Sequence, residues 1–324
     1  MLRPIARAAV PEFLPVRMDN ELMNSDSKLT LSGVIPPMIA PLTTNGVIDE
    51  AGVSKLVEHM LSSGCSGVFV LGSSGEGPWL SAKQRHTLIQ QTVKAAAGRA
   101  PVLAGALEPG TERTLEALPV IEDAGADAVV LASPYYFGAD ASVQLEYFER
   151  VAAASNLPVV LYNIPSMTHN PIAVDTVREA IQFDNVIALK DSAGNMDDFT
   201  AFLELRADNP DFRVFQGAEK LAAESMIAGA DGIVPGLGNI APQWFVQIYE
   251  AVRAGNTDEA RRIQSQVDEL WTLHGHDYWL VCLKYAASLL GFGSGATCGH
   301  PSHLTDAGKS AIQKLVGAVA AVGD

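Results

Sequence analysis

Short apolar runs recur at fairly regular intervals along the chain from Gly33 onward, and polar stretches separate them. Each run is apolar at successive positions rather than at alternate ones, and many of its residues are β-branched. This pattern is typical of strands that are buried on both faces of a parallel sheet. We therefore predict eight strands, at Val34–Ala40, Val68–Leu71, Val102–Ala104, Ala128–Leu131, Val159–Tyr162, Val186–Lys190, Arg213–Gln216 and Gly232–Val234.

The polar stretches between these runs carry the spacing of amphipathic helices. Apolar residues recur on one helical face after Asp49, a candidate N-cap. Ser81 with Gln84 forms a capping-box signature, Thr111 opens a third helix, and Gly229 ends the helix before the last strand. Strands that alternate with helices predict an α/β fold, a (β/α)8 TIM barrel. A doubly wound sheet is the alternative, but no Gly-x-Gly-x-x-Gly sequence follows the first strand.

The barrel is predicted to fill residues 31–240, and two further segments flank it. Residues 1–30 carry prolines and arginines without sustained periodicity, and we interpret them as a loose N-terminal extension. Residues 241–324 carry helical patterns separated by short glycine-containing links, which predict a C-terminal helical extension packed on the barrel. Its helices are predicted at Pro242–Ala254, Thr257–Leu273, Tyr278–Leu290 and Thr305–Val322.

Composition narrows the class of partner. Of the 324 residues, 48% are hydrophobic and 18% are charged, which is enough apolar material for a large core. The net charge of −15 argues against nucleic acid and against an anionic membrane surface, since both require a basic footprint. Cys65, Cys282 and Cys298 are scattered and odd in number, which argues against a disulfide framework. We expect a compact cytoplasmic protein with a small-molecule partner.

In a barrel of this kind the chemistry lies where the strands end, and one strand end stands out. Lys190 ends the apolar run Val186–Leu189, where a lysine has little reason to lie unless its amine reaches a cavity. Burial disfavours a charged ammonium, and the neutral amine is a nucleophile for ketone carbonyls. An ion pair with the neighbouring Asp191 is the alternative explanation.

Three further groups follow other strands. The turn from Gly72 to Glu76 reads Gly-Ser-Ser-Gly-Glu and offers backbone N–H groups and two hydroxyls, a set suited to a small carboxylate or phosphate. Tyr136 follows the fourth strand and Tyr162 ends the fifth, and a tyrosine hydroxyl can relay protons. Each feature alone is common in structural positions. Their convergence with Lys190 on one barrel rim predicts a catalytic site.

Together these residues resemble the dihydrodipicolinate synthase and N-acetylneuraminate lyase family of Schiff-base, pyruvate-dependent aldolases. The resemblance runs from about Gly33 to the C-terminus. It rests on Gly-Ser-Ser-Gly-Glu at 72–76, Pro-Tyr-Tyr at 134–136, Tyr-Asn-Ile-Pro at 162–165 and the strand-end Lys190. It implies that Lys190 forms an imine with pyruvate or a longer 2-oxo acid, and that Tyr162 shuttles protons to and from the substrate.

The resemblance also implies roles for the residues around this pair. Ser73 would link Tyr162 to Tyr136, which reaches across from a neighbouring subunit in family members. Ser74, in the same turn as Gly72, would hold the carboxylate of the 2-oxo acid with its hydroxyl and backbone N–H.

Gly217 and Val234 match family positions that line the lysine pocket. The family needs no metal or organic cofactor and is usually a homotetramer, built as a dimer of dimers. The residues agree with a site without metal, because His274 and His276 are two positions apart and do not share a helix face.

One departure bears on the substrate. Synthase members of the family carry an arginine two residues after the Tyr-Asn-Ile-Pro motif, and this chain has Met167 there. A thioether cannot make the bidentate carboxylate contact of a guanidinium. The run at 190–194 looks more like members that act on sugar-derived 2-oxo acids or on 4-hydroxy-2-oxoglutarate. We therefore predict a lyase that cleaves or dehydrates a 2-keto-3-deoxy acid, with His169 near the distal end of the substrate.

Three alternatives stay open at this point. One is 4-hydroxy-tetrahydrodipicolinate (dihydrodipicolinate) synthase itself. Another is a non-catalytic relative that binds a small carboxylate. The third, a cofactor-dependent barrel oxidoreductase, lacks a recognisable nucleotide or flavin motif.

Overall fold

The computed structural model describes residues 29–322, so the extension predicted at 1–30 lies almost entirely outside the described residues. Eight strands appear at the predicted places. They are β1 Gly33–Val34, β2 Val68–Val70, β3 Val102–Gly105, β4 Ala128–Ala132, β5 Val159–Asn163, β6 Val186–Asp191, β7 Arg213–Gln216 and β8 Gly232–Ile233. The eight-strand prediction is confirmed, although β1 is much shorter than the run that predicted it.

The strands form one parallel sheet that curls into a barrel. Its order is β1-β8-β7-β6-β5-β4-β3-β2, and every neighbouring pair is parallel. A parallel bridge between Pro37 and Phe69 joins the first strand to the second and closes the circle. In that bridge the N–H of Met38 donates to the carbonyl of Phe69 at 2.8 Å. The N–H of Phe69 donates to the carbonyl of Pro36 at 3.0 Å. The predicted (β/α)8 barrel is therefore confirmed.

Both faces of the strands are buried, which explains their unbroken apolar runs. Alternate residues point into the barrel, where Phe69, Leu103, Val130, Val160 and Phe215 form a single interior cluster. The residues between them point outward and pack against the helices in a second, larger cluster.

Helices follow the strands in the order expected of a barrel. They are α1 Glu50–Ser62, α2 Ala82–Ala96, α3 Thr111–Asp123, α4 Ala141–Ala154, α5 Pro165–Thr168, α6 Val174–Ala180, α7 Met196–Glu204, α8 Ala222–Ile227, α9 Pro242–Arg253, α10 Thr257–Trp271, α11 Trp279–Leu289 and α12 Asp306–Val322. The predicted end signals are present: the Asp49 carboxylate accepts the N–H of Gly52 at 3.0 Å. Ser81 and Gln84 form the reciprocal capping box.

The helices after β8 pack on the barrel. Helix α9 contacts β1, β8 and α8, the place that an eighth barrel helix takes. In α10, Gln264 accepts the N–H of Ala223 at 3.0 Å and donates to the carbonyl of Glu219 at 3.0 Å. One hydrophobic cluster includes residues of both the barrel and these helices. The division of the chain at residue 241 stays a prediction.

Candidate active site

Lys190 lies near the C-terminal end of β6, inside the barrel mouth. The register of the sheet pairs it with Tyr162 of β5 on one side and with Phe215 of β7 on the other. Lys190 is 5% exposed, and its Nζ lies 3.9 Å from the centroid of the Tyr162 ring and 5.2 Å from that of Phe69. The fold thus brings the predicted lysine and tyrosine into direct contact.

Asp191 follows Lys190 on the strand, so its side chain points to the opposite face. Its Oδ1 accepts a hydrogen bond from Nδ2 of Asn163 at 2.7 Å and a longer one from the N–H of Ala193 at 3.4 Å. Burial raises the pKa of Asp191 to about 6, and the bond from Asn163 partly opposes that rise. This carboxyl is held by Asn163 on the outer side of the strand, which leaves the lysine amine to face the barrel mouth.

A small apolar cavity lies beside Lys190 in the barrel interior. Its volume is about 10 Å³, room for roughly one water molecule. Apart from the lysine its lining is apolar: Leu31, Ile35, Phe69, Leu103, Val130, Val160, Phe215 and Val234. Lys190 therefore lies against an apolar surface, and Val234 lines the lysine pocket in this structure. The cavity itself has no room for a molecule larger than water.

Gly217 makes room for the lysine. A Cβ built on Gly217 would lie 2.9 Å from Cε of Lys190 and 2.0 Å from Oγ of Ser192. The backbone N–H of Gly217 donates to the carbonyl of Asp191 at 2.6 Å, which ties the end of β7 to the end of β6. A side chain at this position would displace Lys190, so the structure explains why glycine stands there.

The turn Gly72–Glu76 is packed tightly onto the rim. Leu71 and Glu76, at its two ends, have φ values of 60° and 53°, a left-handed conformation that is costly for residues with a side chain. A Cβ on Gly72 would lie 2.8 Å from the Phe69 ring, which itself lies next to Lys190. Ser74 is 6% exposed, and its Oγ lies 3.6 Å from where a Cβ on Gly236 would stand.

Glu219 is a functional candidate that sequence reasoning missed. It follows β7 and turns back to the rim, where its carboxylate accepts the N–H of Leu237. Its Oε1 lies 3.3 Å from where a Cβ on Gly236 would stand, on the same side as Ser74. Burial raises the pKa of Glu219 to about 7, opposed by the N–H of Leu237 and by the charge of Lys190. The available signal was its position two residues after Gly217.

The remaining predicted residues lie farther out. Tyr136 is 86% exposed with a φ of 79°, and its ring meets that of Phe137 edge-on at 5.1 Å, so it does not pack against the Lys190–Tyr162 pair. Met167 is 44% exposed on the short helix α5. His169 ends that helix with a φ of 58° and is exposed. Ser73 is half-buried between Gly72 and Ser74.

Two kinds of feature are absent from residues 29–322. No group of three or more histidine, cysteine, aspartate or glutamate side chains within that range is arranged to hold a metal ion. No helix in the same range has both the length and the apolar character needed to cross a membrane.

The model of the dihydrodipicolinate synthetase family matches residues 30–320. The chain belongs to this family. That match spans the barrel and the helices that follow it, and includes each strand end described above. As a member of the family, the protein is a lyase.

Curated relatives from the dihydrodipicolinate synthetase family fall into two kinds. An uncharacterized DapA-like lyase from Halobacterium salinarum is 30% identical over 290 residues, which is 89% of this chain and 94% of the relative. A 4-hydroxy-tetrahydrodipicolinate synthase from Oceanobacillus iheyensis is 32% identical over 234 residues, which is 72% of this chain and 79% of the relative.

Solved structures of the family share the whole fold. Dihydrodipicolinate synthase from Bacteroides thetaiotaomicron is 34% identical, with a TM-score of 0.84 over 90% of this chain and 100% of that one. YagE, a prophage protein of the family from E. coli K12 solved in complex with pyruvate, is 28% identical, with a TM-score of 0.84 over 89% of this chain and 98% of that one.

Proposed function

We propose that the protein is a Schiff-base lyase in which Lys190 forms an imine with pyruvate or a longer 2-oxo acid. The observation that carries the proposal is the buried Lys190 amine against the Tyr162 ring, at the mouth of a parallel barrel. The lysine pocket supports it, because its apolar lining within residues 29–322 leaves the amine without a carboxylate partner in the barrel interior and directed at the mouth.

The chemistry follows from the imine. The amine adds to the ketone carbon, the carbonyl oxygen leaves as water, and the protonated imine draws electrons from the neighbouring carbon. In a 2-keto-3-deoxy acid that carries a hydroxyl at C4, loss of the hydroxyl proton breaks the C3–C4 bond and releases an aldehyde and an enamine. Tyr162 is the proposed proton carrier: it takes the C4 hydroxyl proton and returns a proton to C3 of the enamine, which gives the pyruvate imine. Addition of water to that imine then releases pyruvate and the free lysine.

The turn Gly72–Glu76, called the serine turn below, is the proposed site for the substrate carboxylate. Gly72 packs against the ring of Phe69, which lies near the lysine amine, and Ser74 follows two residues later on the same rim, near Gly236. Fixing the carboxylate there would hold the ketone carbon within reach of the amine, which is how positioning lowers a barrier. Ser73 is the proposed link between Tyr162 and a second tyrosine.

Reduction with borohydride in the presence of pyruvate tests the imine. We expect a stable adduct, seen in the intact mass and mapped by peptide analysis to Lys190. The variant Lys190→Ala should give none, whereas Lys94→Ala, which removes an exposed lysine of α2, should label like the wild type. A folded wild-type protein that forms no adduct would be a non-catalytic relative.

The substrate proposed is a sugar-derived 2-keto-3-deoxy acid, cleaved or dehydrated. Met167 supports this choice over the synthase reaction, because it lacks the guanidinium that synthase members use for a second carboxylate. The relatives named as 4-hydroxy-tetrahydrodipicolinate synthases favour the second candidate. Assays of pyruvate with aspartate semialdehyde, run beside a panel of 2-keto-3-deoxy acids, separate the two, and strong synthase activity would refute our use of Met167.

We also propose that the working form is a homotetramer, a dimer of dimers. Tyr136 and Phe137 expose 86% and 78% of their surfaces next to the barrel rim, an unfavourable arrangement for large aromatic side chains in an isolated chain. In a dimer, Tyr136 of each copy would complete the other copy's site. Light scattering on the purified protein gives the assembly, and a monomer with full activity would remove this role for Tyr136.

A further inference from the structure

A buried ion pair joins the serine turn to the helices after the barrel. Lys284 of α11 is 1% exposed and Glu76, the last residue of the turn, is 3% exposed. The Nζ of Lys284 donates to Oε1 of Glu76. The other carboxylate oxygen accepts the backbone N–H of Cys298 at 2.6 Å. Both oxygens of Glu76 are therefore occupied by partners more than two hundred residues away in sequence.

The ion pair holds a segment of backbone whose conformation is unfavourable by itself. Glu76 has a φ of 53° and Leu71 a φ of 60°, and both are disfavoured for residues with a Cβ. The space around the turn is also full, since a Cβ on Gly77 would lie 2.0 Å from the carbonyl oxygen of Leu71. Such a turn keeps its shape only when surrounding contacts impose it. The bonds of the buried Glu76 carboxylate to Lys284 and to the N–H of Cys298 are two of these contacts.

The stability of the folded chain does not by itself explain a buried Glu76–Lys284 ion pair. Two charges removed from water lose their hydration, and apolar residues of similar size often replace a buried ion pair without loss of stability. Unlike apolar packing, the hydrogen bonds of an ion pair are directional. A carboxylate with two fixed donors therefore holds the neighbouring peptide in a defined orientation. Two residues before Glu76 stands Ser74, on the rim beside Glu219 and Gly236.

We propose that Glu76 and Lys284 are positioning residues, whose ion pair fixes the serine turn and thereby sets the affinity for the substrate carboxylate. This rests on the proposed function, in which that turn binds the carboxylate of a 2-oxo acid. The helices after the barrel then have a direct part in the site: they supply the lysine and the Cys298 N–H that hold the turn in place.

The test measures how much pyruvate gives half-maximal borohydride trapping at Lys190. For Glu76→Gln and Lys284→Met we expect this concentration to rise on the order of tenfold or more, with the adduct at saturating pyruvate unchanged, because a shifted turn weakens binding. Lys284→Arg, which keeps the charge, should restore most of the affinity. Asp231→Asn, which removes the charge that pairs with Arg206 and Arg213 at the other end of the barrel, is the control and should bind pyruvate like the wild type.

The double variant Glu76→Gln/Lys284→Met separates positioning from stability. We expect it to melt near the wild-type temperature and still to bind pyruvate weakly. Equal half-saturation in wild type and in the folded variants would overturn the inference, whereas a wild type without any adduct would overturn the proposed function instead. If Glu76→Gln does not fold, Glu76→Asp, which withdraws the carboxylate by one methylene, carries the same expectation.

A second measurement does not depend on catalysis. Cys298 is exposed, while Cys65 and Cys282 are buried, so a disulfide reagent reports on Cys298 in the native protein. Burial and the Glu76 carboxylate raise the pKa of this thiol, and Lys284 lowers it. Near pH 8, Glu76→Gln should therefore speed the reaction and Lys284→Met should slow it. Unchanged rates in both variants would show that the pair does not form as described, and would overturn the inference.

Discussion

Gly217 leaves space for the side chain of Lys190, the residue that we propose forms the imine. Lys190 runs across the backbone at Gly217, and the distance from its Cε to a Cβ built there, 2.9 Å, is shorter than real Cβ contacts allow. The same Cβ would lie 2.0 Å from Oγ of Ser192. Any residue larger than glycine must therefore move the side chains of Ser192 and Lys190 or the end of β7, and the two side chains are more easily moved than the strand.

We expect Gly217→Ala to slow adduct formation with pyruvate by roughly ten- to a hundredfold, because small displacements of a reacting group have effects of this size. The measurement is the rate of borohydride trapping at saturating pyruvate. Gly317→Ala is the control, since nothing lies within 4 Å of a Cβ at that exposed position in α12. If Gly217→Ala labels at the wild-type rate, the side chain of Lys190 does not lie against the backbone of Gly217 as described.

A gain of function is expected at Met167. The side chain is 44% exposed on α5, so an arginine fits there without disturbing the core. Met167→Arg supplies the bidentate carboxylate contact that synthase members use, and we expect synthase activity with aspartate semialdehyde to rise at least severalfold. Met167→Lys tests the geometry, because an ammonium carries the charge without the fork. No gain in either variant would exclude Met167 as a determinant of the substrate.

Lys190 and Glu219 show what a sequence reveals about single residues and what it conceals. Lys190 was predictable because a polar residue that ends an unbroken apolar run is an anomaly that the sequence displays. Glu219 lies in a polar segment where an acid is ordinary. Its hydrogen-bond partner, the N–H of Leu237, lies in the turn after β8, and no local pattern encodes that contact.

At the scale of elements, the strands were predictable because burial on both faces leaves a signature in each of them. The failure at β1 has a definite cause. The apolar run continues to Ala40, but Pro36 and Pro37 have no N–H to donate, so regular pairing stops at Val34. A single bridge at Pro37 then closes the barrel. The apolar pattern predicts where a strand lies, whereas the backbone N–H donors within it determine how far its hydrogen-bonded pairing extends.

Helix α2 offers a test of an element that lies outside the site. The Ser81 side chain accepts the N–H of Gln84 at 3.3 Å, and Gln84 accepts the N–H of Ser81 at 3.0 Å. We expect Ser81→Ala to lower the free energy of unfolding by about 1 kcal/mol while pyruvate trapping stays unchanged. Urea denaturation measures the first quantity. Ser265→Ala, at an exposed position inside α10, should cost clearly less; equal losses would mean that the cap contributes nothing.

For the whole molecule, the carboxyls of Asp191 and Glu219 link stability to pH. The pKa of Asp191 is raised to about 6 and that of Glu219 to about 7, in both cases mainly by burial. A raised pKa means that the folded protein holds the proton at a pH where the unfolded chain has released it. Such a group contributes stability that is present below its unfolded pKa and is lost as the pH rises through the folded value.

Glu219→Gln should therefore change the pH dependence of stability in a defined direction. The wild type loses stability from about pH 4.5, the ordinary glutamate pKa, to about pH 7, and the glutamine variant lacks this loss because it does not titrate. We expect the two melting temperatures to be close near pH 5, and the variant to melt higher by a few degrees at pH 8.

The amide oxygen that replaces the carboxylate in this variant can still accept the N–H of Leu237, so the fold keeps that contact. Glu224→Gln is the control, because Arg261 lowers the pKa of that exposed carboxylate and places its titration below this window. A difference between wild type and Glu219→Gln that stays constant from pH 5 to pH 8 would show that Glu219 is ionised throughout, with the charge of Lys190 outweighing its burial.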